Sequence, residues 1–147
     1  MAEHEHLTEK NMAIPQDNGG KLPQSRSGIA RIFRAFFYSM AGLKSALKHE
    51  AAFRQDVMLG IVLVPLSIYL PFDVTMKVLL NVIWLLLLVT ELLNSAIEAI
   101  VDMTSPGYHE LAKRAKDMGS AAVFMMLTAL SVAWVVALYP LVLKWIG

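Results

Sequence analysis

From Val74 to Val101 the chain runs for 28 residues in which, beyond Thr75 and Lys77 at its start, only Asn81 and Thr90 interrupt the apolar character before Glu91. As a helix this stretch is about 42 Å long, against about 30 Å for the hydrocarbon of a bilayer. A chain of 147 residues that is 56% hydrophobic has no soluble core large enough to bury such a segment together with its other apolar runs. It therefore spans a membrane with one end projecting. The projecting end is the acidic one, Glu91-Leu92-Leu93-Asn94-Ser95-Ala96-Ile97-Glu98-Ala99-Ile100-Val101-Asp102.

On a helix turning about 100° per residue, Asn94 lies about 60° from Glu91, and Glu98 and Asp102 lie about 20° to either side of it. The four side chains form one polar stripe, rising roughly 10 Å from Glu91 to Glu98 and roughly 16 Å to Asp102. A charge at mid-bilayer costs about 2.5–3.5 kcal/mol even on lenient insertion scales, so an acidic column here marks a functional site.

The remaining segments fit an all-α membrane protein. Residues 1–27 hold Pro15, Gly19, Gly20, Pro23 and mixed polar residues, with no apolar run of signal-peptide type. They read as a disordered cytoplasmic tail in which His4 and His6 are solvated. Ser27 caps a surface helix of about 28–48, whose Ile29, Ile32, Phe33, Phe36, Phe37, Met40 and Leu43 recur at helical steps opposite Arg31, Arg34, Lys44 and Lys48. A basic, aromatic amphipathic helix of this kind lies in the membrane interface. A first span covers about 51–71, with Glu50 at the membrane surface, Asp56 slightly inside and Pro65 as a kink. After the turn at Leu70-Pro71-Phe72-Asp73, Asp73 caps a second span of about 74–102. Thr104-Ser105-Pro106-Gly107 breaks it, Tyr108–Asp117 is polar, and a third span covers about 118–143. Gly119-Ser120-Ala121-Ala122 is small enough there for close helix contact. Residues 28–147 thus form one membrane domain.

Of 13 Lys and Arg, 11 precede the first span, sit at its mouth (Arg54) or lie in the 102–118 connection; only Lys77 and Lys144 fall on the other side. The positive-inside rule puts the N-terminus and that connection in the cytoplasm and the C-terminus outside. A net charge of +1 argues against nucleic acid as a partner. The absence of cysteine excludes disulfides and thiolate sites.

Arg31, Arg34, Glu50, the Glu91–Asp102 stripe and the charged 109–117 segment therefore meet one cytoplasmic face. Hard carboxylate oxygens suit Mg²⁺ with substrate phosphates, and Arg and Lys beside them suit polyphosphate. Glu91, about two turns deeper than Glu98, is placed as a general base for a hydroxyl at headgroup depth. That arrangement supports phosphoryl transfer to a lipid alcohol. No phosphate-cradling Gly-rich loop of the usual type is present. On these residues alone, a network of interhelical salt bridges and a proton or ion pathway remain alternatives.

The Glu91–Asp102 motif, followed by Tyr108-His109-Glu110-Leu111 and Ala115-Lys116-Asp117-Met118-Gly119-Ser120-Ala121-Ala122, resembles bacterial diacylglycerol kinase, a small integral-membrane enzyme unrelated to soluble lipid kinases. Glu50-Ala51-Ala52-Phe53-Arg54-Gln55 is similar too, and the likeness covers roughly residues 28–145. It implies a homotrimer in a bacterial inner membrane, with sites shared between neighbouring chains, converting diacylglycerol and MgATP to phosphatidic acid and ADP. It further implies Glu91 as proton acceptor with Asn94 positioned beside it, and Glu50 and Glu98 as Mg²⁺ carboxylates. Arg31, Tyr38, Gly107, Tyr108, His109, Lys116 and Asp117 would contact nucleotide. Ala35, Ser39 and Met40, within the Ala35–Met40 part of the surface helix, would contact lipid, as would Arg31, Asp56, Glu91, Ser120 and Trp134. Three positions depart from the pattern: Asp56 stands where Glu is usual, Phe36 where a small residue is usual, and Gly107 where an acid is common. Related small kinases act on undecaprenol; Asn94-Ser95 and Gly119–Ala122 look more like the diacylglycerol branch. A non-enzymatic ion-conducting or scaffold oligomer is the rival of another class.

Overall fold

The computed structural model describes residues 28–147; the tail reading of residues 1–27 and the Ser27 cap lie outside the described residues. Four helices follow in order, α1 (Gly28–His49), α2 (Ala51–Tyr69), α3 (Val74–Thr104) and α4 (Glu110–Ile146). The last three are long and apolar enough to cross a membrane.

Asp73 caps α3 as expected, accepting from the Met76 amide at 3.0 Å. Pro65 lies inside α2 without ending it. The main difference from expectation is in α4. The polar segment from Glu110 is not a connection ahead of the third span but its first turns, so one helix runs for 37 residues. Glu110, Lys113, Arg114, Ala115 and Lys116 are strong helix formers, and Lys113 pairs with Asp117 one turn on. The helix thus starts in water and enters the apolar stretch unbroken.

The chain divides into two compact units after Ser39. Among the described residues the first unit is the opening half of α1, where Ile29, Ile32, Phe33, Phe36 and Phe37 are all exposed. In the second unit α3 packs against both α4 and α2. Its Leu80 and Leu87 meet Leu130, Trp134 and Ala137 of α4, and the Phe72 ring meets Trp134 edge-on at 6.1 Å. Between α2 and α3, Asn81 Nδ2 donates to Ser67 Oγ at 2.8 Å, and Trp84 Nε1 donates to the Asp56 carbonyl at 3.0 Å. The Trp84 ring lies over Gly60, where any Cβ would collide with it. Only a glycine lets the two helices approach this closely.

One residue, Glu50, separates α1 from α2. It is extended, at φ −100 and ψ 115. Arg54 Nη1 reaches back to the Leu47 and Lys48 carbonyls, both at 3.3 Å, and satisfies groups the end of α1 leaves open.

Candidate active site

Four buried residues of α3, Leu80, Leu87, Glu91 and Asn94, share one helix face. The polar stripe therefore continues the face that builds the core, and Leu93, Ile97 and Ile100 are the exposed ones. Burial falls along the stripe. Glu91 is 4% exposed and Asn94 8%, Glu98 is half-buried and Asp102 is exposed.

Asp56 of α2 is also buried, and the carboxylates of Asp56, Glu98 and Glu50 all lie within electrostatic reach of Glu91. The Asp56 side chain thus belongs to the acidic cluster. The resemblance names Asp56 only as a lipid contact; that its side chain turns toward Glu91 is not legible in α2, which is apolar on most sides and shows no face. Glu50 is half-buried and makes no side-chain cap to α2, so its carboxylate is not consumed by the helix N-terminus.

Asn94 Nδ2 donates to Glu98 Oε1 at 3.1 Å. Its Oδ1 is buried and has no hydrogen-bond partner among the described residues. The amide lies against Gly119 of α4, at the spot a Cβ there would need. Gly119 was singled out in sequence only as one of a run of small residues; its contact with Asn94 was not legible.

A cleft of ≈ 540 Å³ opens at the same end of the bundle, lined by Val101, Asp102, residues 105–109, Ala112, Lys113, Lys116 and Asp117. It gathers five positions singled out from sequence, Gly107, Tyr108, His109, Lys116 and Asp117. Lys116 Nζ donates to Asp102 Oδ1 at 2.8 Å, joining α4 to α3. Ahead of the apolar part of α4, this bond holds the Lys116 ammonium above its ordinary value, and Glu98 acts on it in the same direction. The cleft and the carboxylates are therefore electrostatically connected.

Arg31, Ala35, Tyr38 and Ser39 are exposed in the first unit, and Met40 is exposed at the start of the second. Ser120 is exposed beside Gly119, whereas Trp134 is buried in the core about 21 Å further along α4. Among the described residues no group of three or more His, Asp and Glu side chains is arranged to hold a metal ion.

Three apolar helices with carboxylates drawn inward at one end, beside a lysine-bearing cleft, define an integral-membrane protein with an acidic site at the end of its bundle. The profile of the family described as prokaryotic diacylglycerol kinase matches residues 37–138. A diacylglycerol kinase of Pseudomonas aeruginosa is 48% identical over 111 residues, covering 76% of this chain and 90% of that protein. The diacylglycerol kinase of Escherichia coli K12 is 41% identical over 118 residues, covering 80% and 97%. One from Helicobacter pylori is 43% identical over 124 residues, covering 84% and 97%. The chain belongs to the prokaryotic diacylglycerol kinase family and is an enzyme of the kinase class.

Proposed function

We propose that this protein transfers the γ-phosphoryl group of ATP to the hydroxyl of diacylglycerol, giving phosphatidic acid and ADP at the cytoplasmic face of a bacterial inner membrane. The reading takes the enzyme as a homotrimer, with α1 an amphipathic surface helix, the N-terminus cytoplasmic and the C-terminus periplasmic. The observation that carries it is the inward placement of Glu91 and Asn94 with Glu98, Glu50 and Asp56 in electrostatic reach, in a chain of this family.

Glu91 is the proton acceptor. Near the end of its span it meets a headgroup-depth hydroxyl, removes its proton, and leaves the oxygen to attack the γ-phosphorus as the bond to the β-phosphate oxygen breaks. The proton then passes from Glu91 to water. Asn94 positions the acid face by holding Glu98. Two half-buried carboxylates, Glu50 at the junction of α1 and α2 and Glu98 on α3, suit a cation that takes few protein oxygens and completes its shell with phosphate and water. When bound by them, Mg²⁺ would neutralise charge on the phosphates.

Arg31, Tyr38, Gly107, Tyr108, His109, Lys116 and Asp117 are the nucleotide contacts in this reading, and the ≈ 540 Å³ cleft supports the last five. Ala35, Ser39, Met40, Asp56 and Ser120 are the lipid contacts, with Arg31 and Glu91 shared; Trp134, expected among them, packs in the core with Leu80 and Leu87 instead.

The test is turnover by the purified protein in mixed micelles with MgATP and either diacylglycerol or undecaprenol. Phosphatidic acid is expected, and Glu91→Gln should lower its formation by about 10²–10⁴-fold with helix content kept. Phosphorylation of undecaprenol alone would reverse the assignment of substrate.

A further inference from the structure

Asn94 fits between α3 and α4 only because residue 119 has no side chain. A Cβ on Gly119 would collide with Asn94 Oδ1 and crowd its Cγ, at 3.3 Å. Both residues are buried. On its other side the Asn94 amide is tied to Glu98 Oε1 at 3.1 Å, and the displacement a Cβ would force acts directly on that bond. Its Oδ1 has no conventional partner among the described residues. It lies in the direction a Cβ would take, which on glycine is the direction of a Cα hydrogen, a weak donor. Glycine therefore supplies both the room and the one weak donor that the orphan acceptor faces.

We infer that Gly119 is a positioning residue for phosphoryl transfer, whose bare Cα seats the Asn94 amide so that it holds the Glu98 carboxylate at the acidic site. The inference rests on the roles proposed above for Asn94 and Glu98. It does not require Gly119 to touch either substrate.

A cycle of four full-length proteins tests it: the parent, Gly119→Ala, Asn94→Ser, and the double variant. Serine is short enough to clear a Cβ at position 119. Gly119→Ala alone should lower kcat at least about tenfold and raise the KM for MgATP more than that for diacylglycerol, because the disturbed group is Glu98. In the Asn94→Ser background the same change should cost less than about twofold. Thermal unfolding of the four proteins reads the packing without turnover, and Gly119→Ala should lower Tm only where Asn94 is present. If Gly119→Ala fails to assemble, recovery of assembly in the double variant is the expected rescue.

Equal kinetic penalties in both backgrounds, with an active parent, would overturn the inference and leave the proposed function standing. Coupled melting with a parent that phosphorylates no lipid would overturn both the function and any positioning role, while the contact itself remained. Parent-like kinetics for Gly119→Ala would also overturn it.

Discussion

Lys116 of α4 donates to Asp102 of α3 in the lining of the cleft, Nζ to Oδ1 at 2.8 Å, with Glu98 in electrostatic reach of the same ammonium. The bond links the acidic column to the cleft, so the two form one polar region at the end of the bundle. It does little for the fold, since the two side chains are 38% and 66% exposed and solvent screens such a pair.

Lys116→Met should therefore leave Tm nearly unchanged but raise the KM for MgATP by about tenfold or more, the loss expected of one charge-assisted phosphate contact. Asp102→Asn, which frees the lysine, should have a smaller effect. Equal increases in the KM of both substrates would remove Lys116 from the nucleotide site. The sign of the pH effect follows from the raised ammonium value. A raised folded value makes the pair's contribution fully present below the ordinary lysine value, and it is lost only as pH climbs through the higher folded one. No change in MgATP affinity across the neutral range should trace to this lysine.

Removal of metal should separate activity from folding. The carboxylates form no closed cage among the described residues, and the core is built by Leu80, Leu87, Leu130, Trp134 and Ala137 without them. Excess EDTA should abolish turnover, returning on addition of Mg²⁺, while circular dichroism and Tm stay as they were. Glu98→Gln and Glu50→Gln should each raise the Mg²⁺ concentration needed for half-maximal rate. A Tm that collapses with chelator would show that the cation is structural.

Much of this arrangement was legible in the chain, and the parts that were not share a cause. The stripe from Glu91 to Asp102 could be drawn because α3 is apolar enough for four polar residues to define a direction. The cap at Asp73 and the small residues around Gly119 follow from local stereochemistry in the same way. The direction faced by Asp56 could not be drawn, because α2 is apolar on most sides and offers no periodicity to orient it. The start of α4 at Glu110 was hidden for another reason. Hydropathy marks where a helix enters the membrane, not where it begins, and the charged first turns are water-facing helix. Contacts such as Trp84 on Gly60, Asn94 on Gly119 and Arg54 on the end of α1 are properties of helix pairs, which no single segment carries.

Gly60→Ala should destabilise the protein through Trp84. The added methyl meets the indole ring, whose Nε1 is held by the Asp56 carbonyl at 3.0 Å and so cannot easily swing away. Overpacking of this kind costs about 1–3 kcal/mol. Trp84→Leu in the same chain should recover part of the lost Tm by making room. Because Asp56 lies one turn before Gly60 and within reach of Glu91, the single variant should also lower kcat. A Gly60→Ala protein with unchanged melting and unchanged rate would show that α2 and α3 can part at this point without consequence.

Ser67 and Asn81 should matter for stability and not for rate. Asn81 Nδ2 bonds Ser67 Oγ at 2.8 Å and the Lys77 carbonyl at 2.8 Å, while Ser67 Oγ donates to the Val64 carbonyl at 2.7 Å. Ser67→Ala removes the link between helices together with the Ser67 bond to Val64 within α2, while Asn81 keeps its bond to Lys77. Hydrogen bonds between membrane helices average about 0.6 kcal/mol with a maximum near 1.7, so Ser67→Ala should cost an amount in that range. Asn81 lies about 15 Å along α3 from Glu91, too far for its loss to reach the acidic site through contact. Measured by unfolding in detergent and by lipid phosphorylation, Ser67→Ala and Asn81→Leu should lower stability modestly and leave kcat within about twofold. A fall of tenfold or more in kcat for either variant, at unchanged helix content, would mean that the bundle transmits strain from this pair to Glu91, and that the site is not confined to the end where its carboxylates gather.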